Sequence, residues 1–220
     1  KSHGLRKIDI RVDIVKVGIP DLLQSRSGIL LYPSIKGGVR KMSENIRRVG
    51  RELKYKGAIL DVYTDHMEFE NGNKAEWDFI KHKGAAAVVA VDKDGRLIMV
   101  RQYRNALDRY TLEIPAGALD FPGEPGIVCA GRELEEETGF HCEKLDWLIN
   151  IRTTVAFCNE KIEVYVARDL IPSHQNLDED EYIELERYTV EELKEKIFQG
   201  EIEDSKTIAS ILAYDAKYCR

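Results

Sequence analysis

The segment "PGIVCAGRELEEETG", residues 125–139, constrains this chain more than any other stretch. A proline at its start suits a first helical turn, where no amide donor is missed. A glycine at its end suits the left-handed residue that follows a last turn. The pattern predicts a helix over residues 125–138, which Gly126 and Gly131 each weaken by about 1 kcal/mol relative to alanine. On that helix Glu133, Glu136 and Glu137 stand at i, i+3 and i+4 and share a face, while Glu135 points elsewhere into solvent. Three carboxylates on one face repel unless a cation neutralises them. Oxygen-only ligands suit hard ions, so Mg²⁺ or Mn²⁺ is the natural guest. The competing reading of such a run is a solvated acidic surface.

Strand signals flank this helix. "GAILDVYTDHMEFENG" and "KAEWDFIKHKG" read as strands, with Asn71-Gly72 between them as a hairpin turn because both residues tolerate positive φ. "GAAAVVAVDKDGRLIMVRQYR" is a second hairpin about Asp94-Gly95; its "DKDG" lacks the later ligands of a calcium loop. "RYTLEIPAGAL" reads as strand then loop, and further strands are expected near 145–155, over 161–167 and in "YIELERYT". "TVEELKEKIFQG" reads as a helix capped near Thr189 and ended by Gly200, and "DSKTIASILAYDAKY" as another capped by Asp204. Strands, one embedded helix, more strands and terminal helices argue a mixed α/β domain, with the 50–80 hairpin as a small extra sheet.

Net charge is −6, unevenly spread: residues 1–41 hold nine Lys/Arg against three Asp, so the remainder carries −12. An acidic body excludes non-specific nucleic-acid binding and suits recruitment of divalent cations. No apolar window approaches the roughly 18 residues of a membrane span. Cys129, Cys142, Cys158 and Cys219 are scattered, which reads as free thiols of a cytoplasmic protein. Residues 1–41 combine a strand-like "IDIRVDIVKVGI" with a loop-like "SRSGILLYPSIKGG", and Met42 would also suit a natural start. A leader segment and a genuine N-terminal strand and loop both stay open, and no chemistry is assigned there.

The stretch "GALDFPGEPGIVCAGRELEEETGF" resembles the signature of the Nudix hydrolases. Glu124, seven intervening residues, Arg132-Glu133-Leu134, Glu136-Glu137 and Gly139 fall in register. Six residues rather than the usual five separate Gly117 from Glu124, a one-residue loop insertion at Pro122-Gly123, and Phe140 stands for an aliphatic residue. "HKGAAAVVAV", "VRQYR", "TLEIPAG" and "LDEDEYIELE" extend the resemblance to the ADP-ribose pyrophosphatase branch over roughly residues 50 to 215.

That resemblance implies an α/β fold: a Nudix-type α/β/α sandwich with a mixed sheet, plus a small N-terminal antiparallel β-sheet. The expected division is 1–41 without assigned role, 42–82 as the small sheet serving dimerisation and substrate contact, and 83–220 as the hydrolase domain. The implied reaction is Mg²⁺-dependent hydrolysis of the diphosphate of ADP-ribose or a related nucleoside diphosphate sugar. Glu133 and Glu137 are the implied principal metal ligands, helped by Glu136, Glu124 and the backbone carbonyl of Ala116. Arg132 pairs with an acidic neighbour and holds the helix against its loop. Glu181 is the implied base that orients the water, with Glu179 as fallback. Arg104 grips phosphate, Glu113 faces the same region, and Trp77 offers an adenine platform. A homodimer sharing its N-terminal sheets is implied. Members acting on ADP-ribose usually carry a proline sixteen residues past the box glycine; Val155 stands there, which keeps other nucleotide sugars open. The alternatives are a Nudix-like ligand sensor without catalysis, and an enzyme acting on other nucleoside diphosphate derivatives or on triphosphates.

Overall fold

The computed structural model describes residues 45–177 and 182–219. The chain opens with a three-stranded antiparallel sheet: β1 (Ile46–Lys56), β2 (Asp61–Phe69) and β3 (Lys74–Lys81), in that spatial order. The β2–β3 connection is the Asn71-Gly72 turn, where the Phe69 amide donates to the Asn73 carbonyl at 2.9 Å. Strand β1 went unrecognised in the sequence. Its charged residues pair across the sheet, Arg51 donating to Asp65 at 2.5 and 2.7 Å while its guanidinium lies 3.6 Å from the Phe79 ring centroid. Ion pairs and ring stacking do here what an apolar face does elsewhere.

The second sheet begins with β4 (Ala85–Val91), β5 (Leu97–Arg104), β6 (Arg109–Glu113) and β7 (Ala116–Ala118). The chain then enters α1 (Gly126–Thr138), followed by β8 (Phe140–His141), β9 (Leu145–Arg152), β10 (Lys161–Ala167), β11 (Ile171–Pro172) and β12 (Ile183–Tyr188). Helices α2 (Val190–Phe198) and α3 (Ser205–Tyr218) close it. The spatial order is β12-β5-β4-β10-β9, with β6 on β5 and β7 on β4. Strands β4 and β10 run parallel and the other pairings are antiparallel, so the sheet is mixed.

Strand β4, "AAAVVAV", is buried along its whole length. Successive side chains point to opposite faces, so a strand covered on both sides must be apolar throughout. Ala85, Ala87, Val89 and Val91 pack with Leu193 of α2 and with Ile211 and Tyr214 of α3. Ala86, Val88 and Ala90 pack with Cys129, Ala130 and Leu134 of α1. That is the expected α/β/α sandwich.

Local chemistry sets the helix ends. Thr189 and Glu192 form a reciprocal capping box on α2, and Asp204 accepts from the Thr207 amide at the start of α3. Pro125 is the N-cap of α1 rather than a residue of its first turn, and Gly139 ends that helix at φ 68°. All four cysteines are unpaired, and among the described residues no helix is long and apolar enough to cross a membrane.

Candidate active site

Helix α1 presents Glu133 and Glu137, one turn apart and both buried, to strand β7. Glu137 Oε2 accepts from the Ala116 amide at 2.9 Å. Glu133 lies over Gly117, where an added Cβ would overlap its carboxylate. A side chain at 117 would displace the Glu133 carboxylate from β7, which gives a reason for a glycine at the head of the acidic signature. Cys129 Sγ donates to the Gly117 and Ala118 carbonyls at 3.6 Å each. Burial and the Glu133 charge push that thiol up to about 12, so it serves packing rather than nucleophilic chemistry.

Glu136 differs from its two neighbours. Its side chain is 35% exposed and accepts from Arg132 at 2.9 Å. Arg132 also donates to Glu133 at 2.7 Å and to the Ala118 carbonyl at 3.1 Å, and lies 3.2 Å from Asp120. One guanidinium thus ties α1 to the β7 strand and the loop after it. Glu124 closes that loop, accepting from the Asp120 amide at 2.7 Å, with Gly123 at φ 91° absorbing the inserted residue. Glu135 is not simply solvated: it accepts from the Ser173 hydroxyl at 2.5 Å and fastens α1 to the segment after β11.

A cleft of about 270 Å³ opens beside β7, lined among others by Ala116, Gly117, Arg104 and Lys206. Behind it Arg104 forks onto Glu113 at 2.8 and 2.7 Å, and Thr111 donates to the same carboxylate at 2.6 Å. Lys206, at the start of α3, donates to Glu113 and, at 2.9 Å, to Asp204. Burial alone would raise the Glu113 carboxyl. The Arg104 hydrogen bonds and the Lys206 and Arg104 charges outweigh it and hold the group down at about 2. Glu113 is therefore the anchor of two cations at the cleft. Lys206 went unremarked in the sequence; the signal available was a lysine directly after a helix-capping Asp204-Ser205.

His82, Thr153 and Glu160 also line the cleft. Thr153 donates to Glu160 at 2.6 Å, and His82 Nδ1 lies 3.4 Å from the other Glu160 oxygen. These residues come from the start of the β3–β4 link and from the 153–160 loop, and their sequence surroundings gave no sign of convergence.

Of the sequence-predicted residues, Ala116 and Arg104 line one cleft, Glu113 backs it, and Glu124, Arg132, Glu133, Glu136 and Glu137 form the adjoining α1 cluster. Trp77 is not in that cleft. It is 47% exposed, edge-on to Phe69, and lines a separate surface cavity of about 710 Å³ with Phe157 and Ala156. Glu181, with Glu179, lies outside the described residues.

The donor set suits a hard divalent ion: two buried carboxylates one turn apart, a third beside them, and the β7 backbone within contact of both buried ones. Among the described residues no three His, Cys, Asp or Glu side chains converge closely enough to hold an ion as they stand. The Arg132 guanidinium spans Glu133 and Glu136 instead, so ion binding through both requires Arg132 to shift onto its Asp120 and Ala118 contacts.

Comparison with known proteins bears on this geometry. A family model described as the NUDIX domain matches residues 81–211. The chain is 38% identical to a methanol dehydrogenase activator of Bacillus methanolicus, over 75% of this chain and 90% of that one. It is 36% identical to an ADP-ribose pyrophosphatase of Bacillus subtilis, with the same coverage, and 33% identical to one of Mycobacterium tuberculosis, over 76% and 82%. A crystal structure of an ADP compounds hydrolase shares the fold at a TM-score of 0.70, with 24% identity, covering 79% of this chain and 94% of that one. The acidic helix, the glycine beneath it and these matches together establish that the chain belongs to the Nudix hydrolase family.

Proposed function

We propose that the chain hydrolyses the diphosphate linkage of ADP-ribose or a related nucleoside diphosphate sugar, releasing a nucleoside monophosphate and a sugar phosphate. The observation that carries this reading is the pair of buried carboxylates, Glu133 and Glu137, set against β7, whose residues line a cleft together with Arg104 and Lys206. The named activities of the Bacillus subtilis and Mycobacterium tuberculosis relatives support the substrate class.

When bound, Mg²⁺ or Mn²⁺ at Glu133, Glu137, Glu136 and the Ala116 carbonyl would neutralise the diphosphate and activate a water. Glu124 and Arg132 hold the loop and helix that carry those donors. Arg104, kept in orientation by Glu113, binds phosphate through the guanidinium edge left by its fork. Glu181 is the proposed base for the attacking water. Trp77 offers an exposed ring to adenine, and its separation from the cleft favours an arrangement in which a second copy supplies it. The exposed Ile46, Val49, Leu53 and Tyr55 on β1 support a homodimer built through residues 42–82.

Product release from ADP-ribose, followed with and without Mg²⁺, tests the reading. Glu137→Gln is expected to lower turnover by at least about a hundredfold, the usual cost of removing one preorganised charge from a reacting site. Equal turnover by both proteins ends the idea. A second reading, activation of a dehydrogenase, rests on the 38% identity to the Bacillus methanolicus activator. Methanol oxidation by a methanol dehydrogenase that is unchanged on adding the chain removes it.

A further inference from the structure

Lys206 is 9% exposed, a charged side chain all but buried in the first turn of α3. That is a poor place for a cation, because the helix N-terminus is itself the positive end of the macrodipole. Two carboxylates hold the ammonium there. It donates to Asp204 Oδ2 at 2.9 Å and to Glu113 Oε2, the oxygen that also accepts from Arg104 Nη2 at 2.7 Å. Glu113 Oε1 accepts from Arg104 Nε at 2.8 Å and from the Thr111 hydroxyl at 2.6 Å. The lone pairs of both carboxylate oxygens are thereby filled.

This arrangement bears on Arg104. A bidentate fork is planar, so the plane of the Glu113 carboxylate decides where the outer edge of the guanidinium points. The glutamate does not set that plane itself, because its last torsion is broad. The plane is set by what pins the two oxygens besides Arg104: Thr111 on one and Lys206 on the other. Arg104 spends Nε and one Nη2 proton on Glu113. Among the described residues it makes no other hydrogen bond, so both Nη1 protons and one on Nη2 are left for a phosphate in the cleft that it lines. We propose that Lys206 is a positioning residue: by pinning Glu113 Oε2 it fixes the direction in which Arg104 presents its free edge to the diphosphate. The inference rests on the hydrolase reading above. Lys206 acts through Glu113, so its effect should vanish once that carboxylate is gone.

The test is a double-mutant cycle on the full chain in Mg²⁺, with ADP-ribose as substrate: wild type, Lys206→Met, Glu113→Gln and the two substitutions together. In the wild-type background Lys206→Met is expected to raise KM about tenfold with kcat within about twofold, since a misdirected phosphate grip weakens ground and transition states alike. In the Glu113→Gln background the same change should move KM by less than about threefold. A rise of about tenfold in both backgrounds overturns the proposal, because Lys206 then meets the substrate by itself. An unmoved KM in the wild-type background, or a loss confined to kcat, overturns it as well. If Lys206→Met does not fold, Lys206→Gln, polar and one bond shorter than lysine, takes its place in the same cycle with the same expectations. A wild type that cleaves no nucleotide sugar defeats the hydrolase reading separately. The four proteins are then compared by calorimetric binding of inorganic pyrophosphate without metal. Weaker binding on Lys206→Met in the wild-type background alone supports the positioning role; equal losses in both backgrounds, no loss, or no binding by wild type overturns it.

Discussion

Glu113 accepts from Arg104 through both oxygens and from Lys206 and Thr111 as well, at 2% exposure. Its folded-state carboxyl, at about 2, lies below the ordinary value of 4.5. A depressed carboxyl contributes stability that is complete above pH 4.5 and is lost as pH falls toward 2. Chemical denaturation across that window should show a decline to which this group contributes roughly 3 kcal/mol, and Glu113→Gln should flatten it. Parallel pH curves for the two proteins would contradict the assignment. The shared face of Glu133, Glu136 and Glu137 follows from the 3.6-residue period. The metal-ligand role expected of Glu133 and Glu137, and the place of Gly117, came from the resemblance to the Nudix signature. Lys206 was not readable, because it reaches Glu113 across 93 residues of chain. Glu160 and His82 were hidden for the same reason, their meeting being made by packing rather than by any local pattern.

Among the elements, α1 is held at both ends by backbone geometry rather than by side-chain caps. Gly139 sits at φ 68°, and a Cβ there would come 3.1 Å from the Gln175 amide nitrogen. Gly139→Ala should therefore cost about 1–2 kcal/mol, read as a lower midpoint in urea with unchanged slope. An unshifted midpoint would mean that the helix end relaxes freely. The three helices were legible because Pro125, Gly139, Thr189, Gly200 and Asp204 punctuate them. The Asn71-Gly72 and Asp94-Gly95 turns were legible too. Strand β1 was not. Six of its eleven residues are charged, so no apolar alternation survives, and its stability comes from partners on β2 that sequence spacing does not reveal. Two-residue strands such as β8 and β11 leave no periodic trace at all.

For the whole molecule, sedimentation should return the mass of two chains, and Leu53→Asp on the exposed side of β1 should return one. A wild-type monomer at micromolar concentration would remove the shared-sheet arrangement. Element order argued a mixed α/β domain, and the sandwich followed from the resemblance to the Nudix signature. The cleft could not be read from element order, since β4, β5, β7, β10, the start of α3 and the 153–160 loop converge only in three dimensions. That loop also fastens the small sheet to the large one. Ile80 donates to the Phe157 carbonyl at 2.7 Å and accepts from the Asn159 amide at 3.3 Å. The Asn159 side chain exchanges bonds of 2.8 and 3.2 Å with the His82 backbone. Four amide bridges laid side by side make a seam, and a seam shares its fate with the cloth on either side. Heating should consequently give one calorimetric endotherm for both sheets, its van't Hoff enthalpy matching the measured heat, rather than an early melt of residues 45–81 followed by a later one.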